Sequence, residues 1–131
     1  MRIGEAAADL GVAAHVLRHW EECGVVVPDR TPTGHRSYDD EHLSRCRIVI
    51  ACQGVGMSLA EIRQVLHRSA AGRAAVIAER IAAIRRQTVA LEAAERFLVH
   101  VADCRHDLMT RCPDCAEYAA TPTHRGTASA R

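Results

Sequence analysis

From Arg73 to about Ala102 the chain runs without a glycine or a proline, the longest such segment that reads as one element. As a helix rising 1.5 Å per residue it would extend about 45 Å, longer than a small domain is wide. Ile77, Ile84, Leu91 and Leu98 recur every seven residues, and Ile81, Thr88, Glu95 and Ala102 take the alternate seam positions. That is nearly four heptads of a coiled-coil stripe, made imperfect by the polar Thr88 and Glu95. Nothing else in 131 residues is long enough to cover this stripe. A second copy of the same helix covers it most economically, so the sequence predicts a homodimer.

Composition supports a helical chain. There are 23 alanines and only four aromatic residues. Such a chain builds thin, closely packed helices more readily than a thick β core. That argues against an enzyme with a deep aromatic pocket, and no Gly-rich phosphate loop or Ser-His-Asp pattern is present. An apolar fraction of 48 % argues against disorder over most of the length. No apolar run approaches the roughly 18 residues of a membrane helix. Glu5 stands where an export signal would begin its apolar core, so the expectation is a cytoplasmic protein with no membrane partner.

Ahead of the long helix, residues 3–10 read as a short helix stopped by Gly11. Residues 14–22 read as a second helix, with Val16, Leu17 and Trp20 on one apolar face. His15, Arg18 and His19 share another face of that helix. This is a helix-turn-helix arrangement, whose second helix can offer donors to base edges in the major groove. Val25-Val26-Val27-Pro28 reads as a strand, Thr31-Pro32-Thr33-Gly34 as a turn and His35-Arg36-Ser37-Tyr38 as a return strand. The resulting wing carries Arg30 and Arg36, planar forks suited to phosphate. A helix capped by Asp39 or Asp40 runs to about Gln53. Ser58 and Glu61 form a capping box that starts another, from Leu59 to about His67.

Charge does not by itself announce a nucleic-acid partner. The net charge is +1, with 17 arginines and no lysine. Residues 1–70 carry eight arginines against nine carboxylates, a balance that also suits an ordinary solvated surface. Local placement of Arg18, Arg30 and Arg36 has to carry the case.

Six cysteines are the compositional oddity. Cys46 and Cys52 lie among apolar residues on a predicted helix and read as small core hydrophobes, and Cys23 as packed or idle. Cys104, Cys112 and Cys115 fall within 12 residues just beyond the long helix. Cys112-Pro113-Asp114-Cys115 can bring two thiolates onto one ion, Cys104 can close from upstream, and His106 is a fourth donor. Three thiolates and an imidazole suit zinc or another thiophilic metal, in either a sensing or a structural role. The same cysteines could form a redox or electrophile switch, or could be unligated. His67, His100 and His124 read as isolated surface histidines.

Taken in order, Ile3-Gly4-Glu5-Ala6-Ala7, Leu17-Arg18-His19-Trp20-Glu21, Gly34-His35-Arg36-Ser37-Tyr38 and Gly56-Met57-Ser58-Leu59-Ala60-Glu61-Ile62 resemble the DNA-binding region of MerR-family transcription regulators. The likeness covers residues 1 to about 68 with nearly ungapped spacing. It departs where the family usually has Arg-aromatic-Tyr-Glu and Gly-Tyr-Arg. Here these are Arg18-His19-Trp20-Glu21 and Gly34-His35-Arg36.

The resemblance implies a mainly α architecture: a winged helix-turn-helix domain over 1–70, an antiparallel coiled-coil dimerisation helix over 73–102, and a Cys-rich effector loop over 103–118. Residues 119–131 read as a disordered tail. It implies double-stranded promoter DNA as partner, contacted by His15, Arg18, His19, Trp20, Arg30, His35, Arg36 and Tyr38. RNA polymerase would be an indirect partner, given access to an overlong promoter spacer when effector binding distorts the DNA. Cys104 and Cys112 match the family's effector loop in position, with a spacing similar to that of copper sensors. Sensors of divalent ions also use a cysteine near the start of the dimer helix, and Ser69 lies near that place here. Cys115 and His106 exceed a linear two-thiolate copper site, so copper, mercury and zinc types all stay open. Iron–sulfur members use four clustered cysteines, against three here.

Overall fold

The computed structural model describes residues 1–105 and 112–120. By contacts the chain divides into a unit of residues 1–80 and a unit of residues 81–131.

In the first unit, α1 (Ile3–Leu10) and α2 (Ala14–Glu22) form the helix-turn-helix, followed by β1 (Asp29–Arg30), β2 (Arg36–Ser37), α3 (Asp40–Gly54) and α4 (Leu59–Leu66). Gly11 ends α1 in the left-handed region, at φ +70°, which a residue with a Cβ enters only at a cost. Gly24 follows α2 at the same φ. A Cβ there would meet Arg63 Nε at 3.2 Å, a contact that the flexible side chain can relieve, so it is the backbone that calls for glycine. Asp39 caps α3 and Ser58 caps α4, each in a reciprocal capping box, with His42 and Glu61 respectively reaching back to the cap N–H.

The core takes two side chains each from α1 and α2, three from α3, one from α4 and three from the segments between: Ala6, Ala7, Leu17, Trp20, Val25, Val26, Tyr38, Leu43, Cys46, Val49 and Ile62. Alanines at the α1 positions let it lie close against its neighbours, where larger side chains would hold the helices apart. Cys46 is fully buried, as the apolar surroundings predict, while Cys23, Cys52 and Met57 pack against the core edge.

The wing is shorter than the sequence predicts and starts later. Val25 and Val26 are not strand residues. They are core residues filling the space behind α2, at 1 % and 2 % exposure. Pairing begins only at Asp29, opposite Ser37, with Arg30 opposite Arg36. β-branched character here served burial rather than pairing.

The helix α5 (Arg73–Asp103) spans 31 residues and begins in the first unit. Its opening turns are fastened to α4: Arg73 Nε donates to the Val65 carbonyl (3.0 Å), and Arg80 forks onto both Glu61 oxygens (2.7–2.9 Å). No residue of α5 is buried. The predicted seam residues Ile81, Ile84, Leu91 and Leu98 are exposed, Leu91 and Leu98 at 63 %.

In the second unit α6 (Pro113–Ala120) follows. The segment expected as an effector loop is thus helical in its later part, and Ala119 and Ala120, expected in a disordered tail, belong to that helix. Residues 121–131 and His106 lie outside the described residues. No helix among the described residues is long and apolar enough to cross a membrane.

Candidate DNA-binding surface and thiolate cluster

His15, Arg18 and His19 are exposed on α2, as the spacing predicts. Arg18 lines an open cleft together with Arg2, Glu5, Arg30, His35 and Arg36. Four arginines therefore border one cleft where α1, α2 and the wing meet. A surface with nearly balanced total charge can still present locally concentrated cation forks. Arg2 was not among the sequence candidates, because its contribution depends on where α1 starts relative to the wing.

Two expected DNA contacts are placed elsewhere. Trp20 and Tyr38 are each only 2 % exposed and belong to the core. Their large apolar surfaces are worth more to a small domain inside than outside. The Tyr38 hydroxyl is buried with no hydrogen-bond partner among the described residues. Burial, the largest influence, raises its pKa above the ordinary 10.

The wing arginines are held by a carboxylate of α2. Glu21 accepts from Arg36 Nε at one oxygen and from Arg30 (2.7 Å) at the other. Arg30 also donates to the Gly34 carbonyl (3.3 Å). Burial of Glu21 opposes its charged form, but the hydrogen bonds and charges of Arg36 and Arg30 outweigh this and lower its pKa. Each guanidinium has five N–H donors, so a fork oriented by Glu21 keeps donors for a phosphate.

The second constellation lies wholly in the second unit. Ligand atoms of His100, Cys104, Cys112 and Cys115 all lie within 4.8 Å of one another. Cys112 and Cys115 are buried, at 2 % and 4 % exposure. Pro113 begins α6, where its missing N–H is no loss, which leaves Cys112 at the cap position. The Cys112 sulfur accordingly takes the backbone N–H of Cys115. That bond leads the influences holding its pKa down to about 6, over the opposing effect of burial and helped by His100. Cys115 moves the other way, to about 11, through burial first and then its neighbouring thiols. His100 Nε2 stands 3.1 Å from Cys112 Sγ. Phe97 and Tyr118 stack with ring centroids 4.3 Å apart and clasp α6 to the end of α5 one helical turn from the cluster.

The structure therefore brings together the three predicted cysteines and adds His100, which the sequence reading set aside as isolated. The available signal was its spacing of four from Cys104, which puts both on one helical face. The donor set of soft sulfurs and one imidazole, gathered in a mostly buried pocket, fits a thiophilic metal.

A winged helix-turn-helix followed by a long exposed helix and a thiol cluster defines a class of DNA-binding transcription regulators. Comparison with known proteins specifies it further. Residues 1–69 match the MerR HTH family regulatory proteins, and residues 43–101 match the MerR DNA-binding family. Heavy metal-dependent transcription regulator 2 of Rhizobium meliloti is 32 % identical over 127 residues, covering 91 % of this chain and 86 % of that protein. The transcription regulator PbrR691 of Ralstonia metallidurans CH34, solved in complex with lead(II), is 29 % identical with a TM-score of 0.54, covering 89 % of this chain and 98 % of that one. The fold is shared with HiNmlR, a regulator lacking the sensor domain and solved on promoter DNA (19 % identity, TM-score 0.65, 77 % and 86 % covered). The chain belongs to the MerR family: it is a transcriptional regulator, not an enzyme.

Proposed function

We propose that this regulator binds a two-fold-symmetric promoter operator as a homodimer and changes transcription when a thiophilic metal ion binds at Cys104, Cys112 and Cys115. The observation that carries the reading is the gathering of these three sulfurs at the end of the long helix. The metal-dependent behaviour named for the Rhizobium relative, and the lead(II) held by the Ralstonia neighbour, support it. The exposed heptad stripe of α5 supports the dimer, because an isolated chain leaves Leu91 and Leu98 in water. His15, Arg18 and His19 enter the major groove, while Arg2, Arg30, His35 and Arg36 grip the flanking phosphates.

Cys104, Cys112 and Cys115 would hold the ion as thiolates. An ion held there would join the end of α5 to the start of α6. The start of the same continuous helix is fastened to α4 by Arg73 and Arg80. A change at the cluster then reaches the DNA-binding domain along this continuous helix, with RNA polymerase responding through the altered promoter.

The test begins with elemental analysis of full-length protein purified under reducing conditions. Run-off transcription follows, on a genomic fragment selected by the protein, with and without the metal found. Metal-dependent transcript yield, lost in Cys112→Ser, is expected. A structural metal instead leaves the yield independent of metal. A redox switch gives oxidant-dependent yield in metal-free protein.

A further inference from the structure

His100 is the member of the cluster that the sequence places among isolated histidines, and its surroundings are those of a ligand. Its two ring nitrogens face different groups. Nε2 points into the sulfur cluster, 3.1 Å from Cys112 Sγ. Nδ1 lies 3.8 Å from an Asp114 carboxylate oxygen, close enough for an ion pair and longer than a direct hydrogen bond. Metal-bound histidines commonly present one nitrogen to the ion and the other N–H to a carboxylate, which sets tautomer and ring orientation. Asp114 sits between the two cysteines of Cys112-Pro113-Asp114-Cys115, so one short turn delivers two sulfurs and the orienting carboxylate together.

The backbone argues the same way. His100 lies in the last turn of α5, four residues before Cys104, so its ring and that sulfur share a face of the helix end. Cys112 and Cys115 come from the start of α6. The stacked Phe97 and Tyr118 lie three residues from His100 and from Cys115 respectively. Packing therefore brings imidazole and thiols together before any ion is considered.

We propose that His100 is the fourth protein ligand, closing a three-sulfur, one-nitrogen site within a single chain that selects a divalent, tetrahedral ion of the zinc type over monovalent copper. The proposal rests on the metal reading given above. Four donors from one chain satisfy a tetrahedral ion completely, as in closed zinc sites. Monovalent copper is content with fewer, softer donors and gains little from an imidazole. His100 also makes the long helix itself, rather than only the segment after it, a partner of the ion.

The test uses the full chain, titrated anaerobically with cobalt(II) as a spectroscopic stand-in and then with zinc(II) and copper(I). Wild type should show the intense visible bands of four-coordinate cobalt with sulfur ligands. His100→Ala should shift and weaken those bands and lower zinc affinity by about 100-fold, with copper(I) affinity unchanged. Loss of an orienting partner alone costs about 10–100-fold, so Asp114→Asn should fall near the lower end of that range. Nitrogen NMR of histidine-labelled wild type supplies a readout independent of any variant: zinc should move the His100 Nε2 resonance to that of a metal-bound nitrogen while Nδ1 stays protonated.

An unchanged cobalt spectrum and zinc affinity in His100→Ala would overturn the proposal. So would a loss of zinc affinity in His106→Ala in its place, or a His100 ring that zinc leaves unaltered. Cys112→Ser separates this failure from failure of the parent reading, because a metal site of any kind here must weaken when that sulfur is removed.

Discussion

At the scale of single residues, the carboxylates that organise the fold are the ones whose ionisation it depends on. Glu21 joins α2 to both wing strands, and Glu61 joins α4 to α5 through the Arg80 fork. Hydrogen bonds from Arg80, then the Ser58 N–H, lower the Glu61 pKa, so that both groups lie below the ordinary 4.5 in the fold. A folded value below the unfolded one gives stability that is complete above about 4.5 and lost as pH falls through the folded value. Thermal melts should therefore decline below that pH, and less steeply in Glu21→Gln and Glu61→Gln. Glu21→Gln should also weaken operator binding severalfold in a gel-shift titration, by releasing Arg30 and Arg36 from their orientation. In the core, Ile62→Ala should cost about 3 kcal/mol in urea denaturation, because its fully buried side chain leaves a cavity. Cys46, pushed up to about 11 by burial, should resist alkylation in native protein and react on unfolding.

At the scale of elements, legibility followed the physical source of each signal. Helices α1 to α5 follow from periodicity and capping, both local properties, and their ends agree with expectation to within about one residue, as boundaries allow. The wing was harder to read, since Val25 and Val26 have strand composition but were claimed by the core. Trp20 and Tyr38 lie in the core for the same reason: residue type tells that a ring could meet DNA, not that the interior needs it. His100 was missed because its partners Cys112 and Cys115 arrive from another helix, and spacing alone does not show such a meeting. The seam of α5 offers the clearest test of an element. Leu91→Asp with Leu98→Asp should convert a dimer of twice 14.3 kDa into monomer in light scattering, since charges in the stripe cannot be covered by a second copy.

At the scale of the whole molecule, the chain is a MerR-family regulator whose helix-turn-helix and thiol cluster occupy opposite ends of the sequence. Net charge conveyed little about this, because Arg2, Arg18, Arg30 and Arg36 line one cleft while the total stays near balance. The cysteines divide likewise: Cys46 fills the core, while Cys104, Cys112 and Cys115 gather around His100. The most direct test of the proposed function is run-off transcription from a genomic fragment that the protein itself selects, with zinc buffered from zero to saturating free concentration. Transcript yield should change across the range in which zinc binds and should stay flat in Cys112→Ser. A wild-type yield that ignores zinc and every other thiophilic ion, while operator binding is intact, would contradict the proposal that this cluster is where the regulatory signal enters.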